Sequence, residues 1–155
     1  MRYDFVKPLI SSTVWVLDRV LRPEVTTGAV SLTQGVRPAG NVAILVKING
    51  EAEGDLMLSM DSGTAARVSS RLHGDPGANA SLPDLDALAE LANMIAGSAI
   101  SALNDLGFDF SVLPPAVLAD LPPGVARPER EAMHVPLQTE CGDMAMDIIL
   151  STELA

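Results

Sequence analysis

One stretch constrains the fold more than any other: SLPDLDALAELANMIAGSAISALNDLG, from Ser81 to Gly107. Its pattern predicts a long helix over Leu82 to Leu106. Ser81 can cap the first turn, Asp84 stands three residues later as a capping-box partner, Pro83 is tolerated before any helical N–H is needed, and Gly107 supplies a stop. Leu88, Leu91, Ala92, Ile95, Ala99, Leu103 and Leu106 recur at spacings of three and four and form one stripe for a core. Asp86, Glu90, Asn93 and Gly97, separated by steps of four, three and four, form a second stripe opposite.

Asn and Gly are poor helix formers, and a mid-helix Gly costs about 1 kcal/mol relative to Ala. The second stripe therefore gives up stability. One reading is that Gly97 lets another backbone approach beside a displayed carboxylate and carboxamide. The other is an ordinary solvated face with a tolerated glycine, since amphipathic helices carry polar stripes in any case.

A chain of 155 residues is long enough for one domain, 1–155, with a core that needs neither disulfides nor metals. Hydrophobic residues make up 48% and aromatic ones only 3%, so aliphatic and Met side chains must fill that core, and stacking on nucleic-acid bases has little to work with. The net charge of −10 repels phosphate backbones and anionic membranes. Neither nucleic acid nor a membrane is expected as a partner. The single cysteine, Cys141, precludes an internal disulfide and reads as a small residue in a turn. Lys7, Asp18 and Arg19 interrupt the apolar pattern at the N-terminus, so no signal peptide or membrane span is expected there, and the expected location is cytoplasmic.

Along the chain, Tyr3 to Leu21 shows helical spacing of apolar residues with Pro23 as a stop, and the lone Trp15 within it reads as a packing residue. Val25 to Leu32 is Val- and Thr-rich and reads as a strand. Val42 to Ile48 and Gly54 to Met60 read as two strands of a hairpin turning at Asn49-Gly50. Ser62 to Gly74 reads as a shorter helix capped by Ser62, with His73 in its last turn as a dipole partner, and 75–81 as a linker. After Gly107, Phe108 and Phe110 alternate with polar residues in a strand that Pro114 and Pro115 interrupt. Leu121 to Glu129 reads as a Pro-rich loop. AMHVPLQTE and MAMDIILST then form a hairpin across residues 140–143, with His134 facing solvent or a subunit contact. The order is helix, three strands, two helices, three strands. It predicts an α+β fold with a largely antiparallel sheet of about six strands, one long functional helix and two others.

The spacing on the long helix resembles the CheC, CheX and FliY family of chemotaxis phosphatases. That pattern places Asp or Ser, three residues, Glu, two residues, Asn, then about twenty-one residues and Pro. Here it falls on Asp86, Glu90, Asn93 and Pro115, and the single copy is most like CheX. The resemblance implies a phosphatase acting on the aspartyl phosphate of a response-regulator receiver domain of the CheY kind. Asn93 would orient the attacking water and Glu90 would engage the receiver's lysine. Asp86, Gly97 and Pro115 would shape or contact the docking surface, Mg²⁺ would belong to the receiver, and this chain would hold no metal or cofactor. It also implies a homodimer joined through sheet edges. A catalytically silent adaptor that binds a receiver or another signalling protein is the competing reading. An acidic dimeric scaffold without phosphate chemistry is a third. A metal hydrolase has less to stand on: Asp86 and Glu90 could touch a cation, but neither His73 nor His134 is spaced to join them.

Overall fold

In the computed structural model, described over residues 3–21, 25–74, 82–122 and 124–151, the chain forms an α+β fold in which helices pack on one face of a single antiparallel sheet. The elements in chain order are α1 (Tyr3–Val20), β1 (Thr26–Thr27), β2 (Ser31–Gln34), β3 (Val42–Gly50), β4 (Glu53–Met60), α2 (Ser62–Leu72), α3 (Leu85–Asp105), β5 (Phe110–Val112), β6 (Ala116–Leu118), β7 (Glu131–Thr139) and β8 (Gly142–Ser151). The sheet runs β1-β7-β8-β4-β3-β5, with β2 also pairing with β7 and β6 also pairing with β3. Among the described residues eight strands thus fill six positions, because each edge is made of two short pieces. The expected strand over Val25 to Leu32 divides into β1 and β2, and the proline pair separates β5 from β6.

Alternation along the strands sorts the two faces. Ile44, Val46 and Ile48 of β3, Leu56 and Leu58 of β4, Val135 and Leu137 of β7, and Met144, Met146 and Ile148 of β8 turn toward the helices. There they meet Phe5, Leu9 and Leu17 of α1 and Leu88, Leu91, Ile95, Ala99 and Leu103 of α3, all fully buried. Burying each Leu or Ile side chain contributes about 2 kcal/mol, and this layer fixes α3 against the sheet. All three phenylalanines gather at one corner: Phe5 stands edge-on to Phe108 and Phe110, with ring centroids 4.6 and 5.0 Å away. That contact ties α1 to the segment leaving α3.

The opposite face carries a smaller cluster of Val36, Ala43, Met57, Ala132 and Ile149, partly covered by Leu121 and Val125. Asp147 is only 1% exposed within this face. Its Oδ1 accepts from the Arg37 amide at 3.2 Å and pairs with His134 Nδ1 at 2.8 Å, while Oδ2 is buried with no partner. Burial pushes the Asp147 carboxyl above the usual carboxylate range, against the opposing pull of His134. His134 is therefore half-buried against a carboxylate of its own chain.

Local chemistry moved several boundaries. Asp84 caps α3: its Oδ1 accepts from the Asp86 and Ala87 amides, so the helix starts at Leu85. Asp61 caps α2, accepting from the Thr64 amide at 2.7 Å, in place of Ser62. The Ser81 cap, the 75–81 linker and Pro23 lie outside the described residues. Gly107, at φ +90°, ends α3 as expected: its amide bonds to the Asn104 carbonyl and the next amide, of Phe108, to that of Leu103. The hairpin between β3 and β4 turns at Glu51 and Ala52, after Asn49-Gly50. Gly50 stays in β3 and pairs with Phe110, where a Cβ would stand 2.2 Å from the Asp109 carbonyl oxygen. There the glycine serves a close backbone approach.

Candidate functional site

Asp86, Glu90, Asn93 and Gly97 are all exposed on the outer face of α3. At 100° per residue they fall within an arc of about 60°. Glu90 and Asn93 are one turn apart, a spacing at which side chains stand as neighbours. Among the described residues, no hydrogen bond or ion pair holds either side chain. Behind them Leu88, Leu91 and Ile95 are fully buried, so an exposed polar pair is mounted on a well-packed helix.

The start of that backbone is held from α2. The Asp84 amide donates to Ser69 Oγ at 3.0 Å, and Asp84 Oδ2 lies 2.6 Å from His73 Nε2. The bond to His73, followed by the amides that Asp84 caps, holds its carboxyl below the usual range. His73 does find an acidic partner, and that partner orients the helix bearing Glu90 and Asn93.

Between α1 and α3 lies an open groove of about 920 Å³. Asn93 and Gly97 line it from α3, and Pro8, Ser11, Ser12 and Trp15 line it from α1. Ser98 Oγ donates to the Ser12 carbonyl at 3.4 Å between the two helices. A Cβ added to Gly97 would meet nothing within 4 Å. Packing within the chain gives no reason for a glycine there. Trp15, expected to pack, is 56% exposed, and Leu106, expected in the core stripe, is 62% exposed beyond the end of α3. Pro8, Ser11, Ser12 and Trp15 repeat at helical spacing along one face of α1, but spacing alone does not tell that face from one turned to the core.

Pro115 stands elsewhere. It is half-buried in the connection from β5 to β6, strands against which α3 packs, and it is not among the residues that line the groove. Asp86 precedes Glu90 by one turn and likewise lies outside the lining. Among the described residues, no group of three or more His, Cys, Asp or Glu side chains converges to hold a metal ion. Nor is any described helix long and apolar enough to cross a membrane. Cys141 sits buried in the tight turn between β7 and β8, and burial pushes its thiol up, away from the reactive thiolate.

The family model for chemotaxis phosphatase CheX matches residues 42–138. The chain belongs to this family. The matched segment includes Asp86, Glu90, Asn93, Gly97 and Pro115, and membership makes the protein a phosphatase, a hydrolase. A curated relative, the CheY-P phosphatase CheX of Thermotoga maritima, is 33% identical over 116 residues, covering 74% of each chain. Among solved structures, a CheC-like superfamily protein from Shewanella sp. PV-4 matches with a TM-score of 0.79 at 21% identity, over 97% of this chain and 99% of that one. The CheX of a CheX–CheY–BeF3–Mg²⁺ complex from Borrelia burgdorferi matches with a TM-score of 0.77 at 25% identity, over 96% and 99% of the two chains.

Proposed function

We propose that this CheX-family protein hydrolyses the aspartyl phosphate of a CheY-like receiver domain, with Asn93 and Glu90 as the working residues. The observation that carries the reading is the pairing of an exposed carboxylate and an exposed carboxamide, one turn apart, on a helix whose other face is fully buried. An acyl phosphate is already activated, so orienting a water in line with phosphorus can supply much of the acceleration without a nucleophile on this chain. Asn93 can accept a hydrogen bond from water through its amide oxygen and donate to a phosphoryl oxygen through its NH₂. The water oxygen forms the new bond to phosphorus, the bond from phosphorus to the receiver's carboxylate oxygen breaks, and the water proton leaves to solvent. Glu90 pairs with the receiver's active-site lysine and sets the relative orientation of the two proteins.

The relatives support this partner: one is named for CheY-P, and another was solved in a complex of CheX, CheY, BeF3 and Mg²⁺. Mg²⁺ belongs to the receiver in this reading, and no residue of this chain is assigned to it. Asp86 flanks the contact and Pro115 shapes the segment packed beside α3. The protein would act in the cytoplasm, where receivers work, and as a homodimer joined through a sheet edge. The β2 edge, with Val30 and Leu32 exposed, is the apolar candidate, and light scattering of wild type against Leu32→Lys tests it.

The activity itself is tested by phosphorylating the CheY-like receivers of the same genome and following acyl-phosphate lifetime with and without this protein. The expected result is a lifetime shortened at catalytic amounts for at least one receiver. Binding of a receiver with an unchanged lifetime would instead make the protein a silent adaptor.

A further inference from the structure

The groove between α1 and α3 is contiguous with the proposed site, since Asn93 and Gly97 line it. We propose that it is a second docking surface for the same receiver, with Trp15 as its anchor and Met94 and Leu106 as flanking apolar contacts. This rests on the reading of Asn93 and Glu90 as the site of receiver dephosphorylation.

Three observations carry it. The first is area. A specific interface buries about 800 Å² on each partner, more than two side chains such as Glu90 and Asn93 can present. A receiver seated with its phosphoaspartate over Asn93 must also cover neighbouring surface, and the groove adjoins Asn93 directly.

The second is chemistry. Trp15, Met94 and Leu106 are all large apolar residues exposed by 46% or more, and all three line this one groove. Between them the lining is made mostly of small side chains, Ser11, Ser12, Gly97, Ser98, Ser101 and Ala102, with Asp105 beside Leu106 as its one charged residue among those described. Arg19 packs over the Trp15 ring with its guanidinium carbon 4.6 Å from the centroid, which orients the ring while leaving more than half of the residue exposed. A large aromatic beside a lining of small residues suits an apolar protrusion of a folded partner, and Trp is enriched among residues that dominate binding energy.

The third is Gly97. Its missing side chain leaves space that none of the described residues fills, one turn beyond Asn93 in the lining of the groove. A partner backbone passing from Asn93 toward Trp15 would cross it. The occupant is therefore the part of the receiver that flanks its phosphorylation site.

Trp15 is the protein's one tryptophan, so it can report on itself. The receiver that wild-type protein dephosphorylates is loaded with beryllofluoride and Mg²⁺ and added to protein labelled with 5-fluorotryptophan, whose single ¹⁹F resonance is recorded. The resonance should shift on saturation. Trp15→Ala should raise KM about tenfold while kcat stays within about twofold, and Trp15→Phe should restore most of the loss. An unshifted resonance, or an unchanged KM in Trp15→Ala, while wild type still turns the receiver over, overturns the groove and leaves the Asn93 reading standing. A resonance that moves with the protein's own concentration assigns the groove to a second copy and also overturns the proposal. If wild type dephosphorylates no receiver, the Asn93 reading fails and the groove falls with it. Because Trp15 is mostly exposed, its replacement should leave folding intact, which a denaturant midpoint checks.

Discussion

The two faces of α3 carry residues chosen for different reasons. On the inner face, Leu88, Leu91, Ile95 and Leu103 are fully buried, and each can be explained by the space it fills. On the outer face, Glu90 and Asn93 touch nothing that requires them, and Gly97 borders open space. A fold needs only a polar outer face there, and Ala, Lys or Gln would serve it better than Asn and Gly. The difference separates residues that the packing of the helix explains from residues that it does not.

Substitutions on the two faces should therefore fail in opposite ways. Leu91→Ala should cost about 3 kcal/mol of stability in denaturant unfolding, while molecules still folded at low temperature keep their turnover. Loss of turnover without loss of stability in that variant would blur the two faces. Glu90→Ala should leave the denaturant midpoint unchanged and raise KM for phosphorylated receiver about tenfold, since an exposed carboxylate with no partner among the described residues contributes to docking alone. Gly97→Ala should do what few substitutions at working positions do, raising stability by about 1 kcal/mol while lowering kcat/KM several-fold. A Gly97→Ala variant with full activity would return that position to the solvated face.

The smallest effect belongs to the junction of the faces. Asp84→Ala should lower Tm by about 3 °C at pH 7, through the lost cap. The folded-state pKa of Asp84 is depressed, so its contribution is present above the ordinary carboxylate pKa and is lost as pH falls through the lowered value. The gap in Tm between wild type and Asp84→Ala should accordingly narrow on acidification. A gap independent of pH would remove the ionised carboxylate from the cap.

Much of this division could be seen in the chain itself, because both stripes of α3 follow from helical periodicity and Gly107 from the need for positive φ at the stop. What periodicity could not supply was choice among equivalent local signals. Ser81 and Asp84 both suit a helix start, and Asp84 caps because Ser69 and His73, distant in sequence until the fold joins them, hold it in place. Asn49-Gly50 suits a tight turn, yet Gly50 is needed in β3 to admit the Asp109 backbone. Trp15 looked like core since large apolar residues at helical spacing usually are. Only the placement of α1 beside α3 shows that it faces the groove. The role proposed for Glu90 and Asn93 comes from family spacing, and periodicity alone gives a polar stripe.

The central claim, that Asn93 positions the attacking water, is tested most directly by the rate at which Asn93→Ala dephosphorylates the receiver under saturating conditions. A fall in kcat of about 100-fold is expected, with an unchanged denaturant midpoint and retained binding of the beryllofluoride-loaded receiver. A variant that turns the receiver over at the wild-type rate would contradict it.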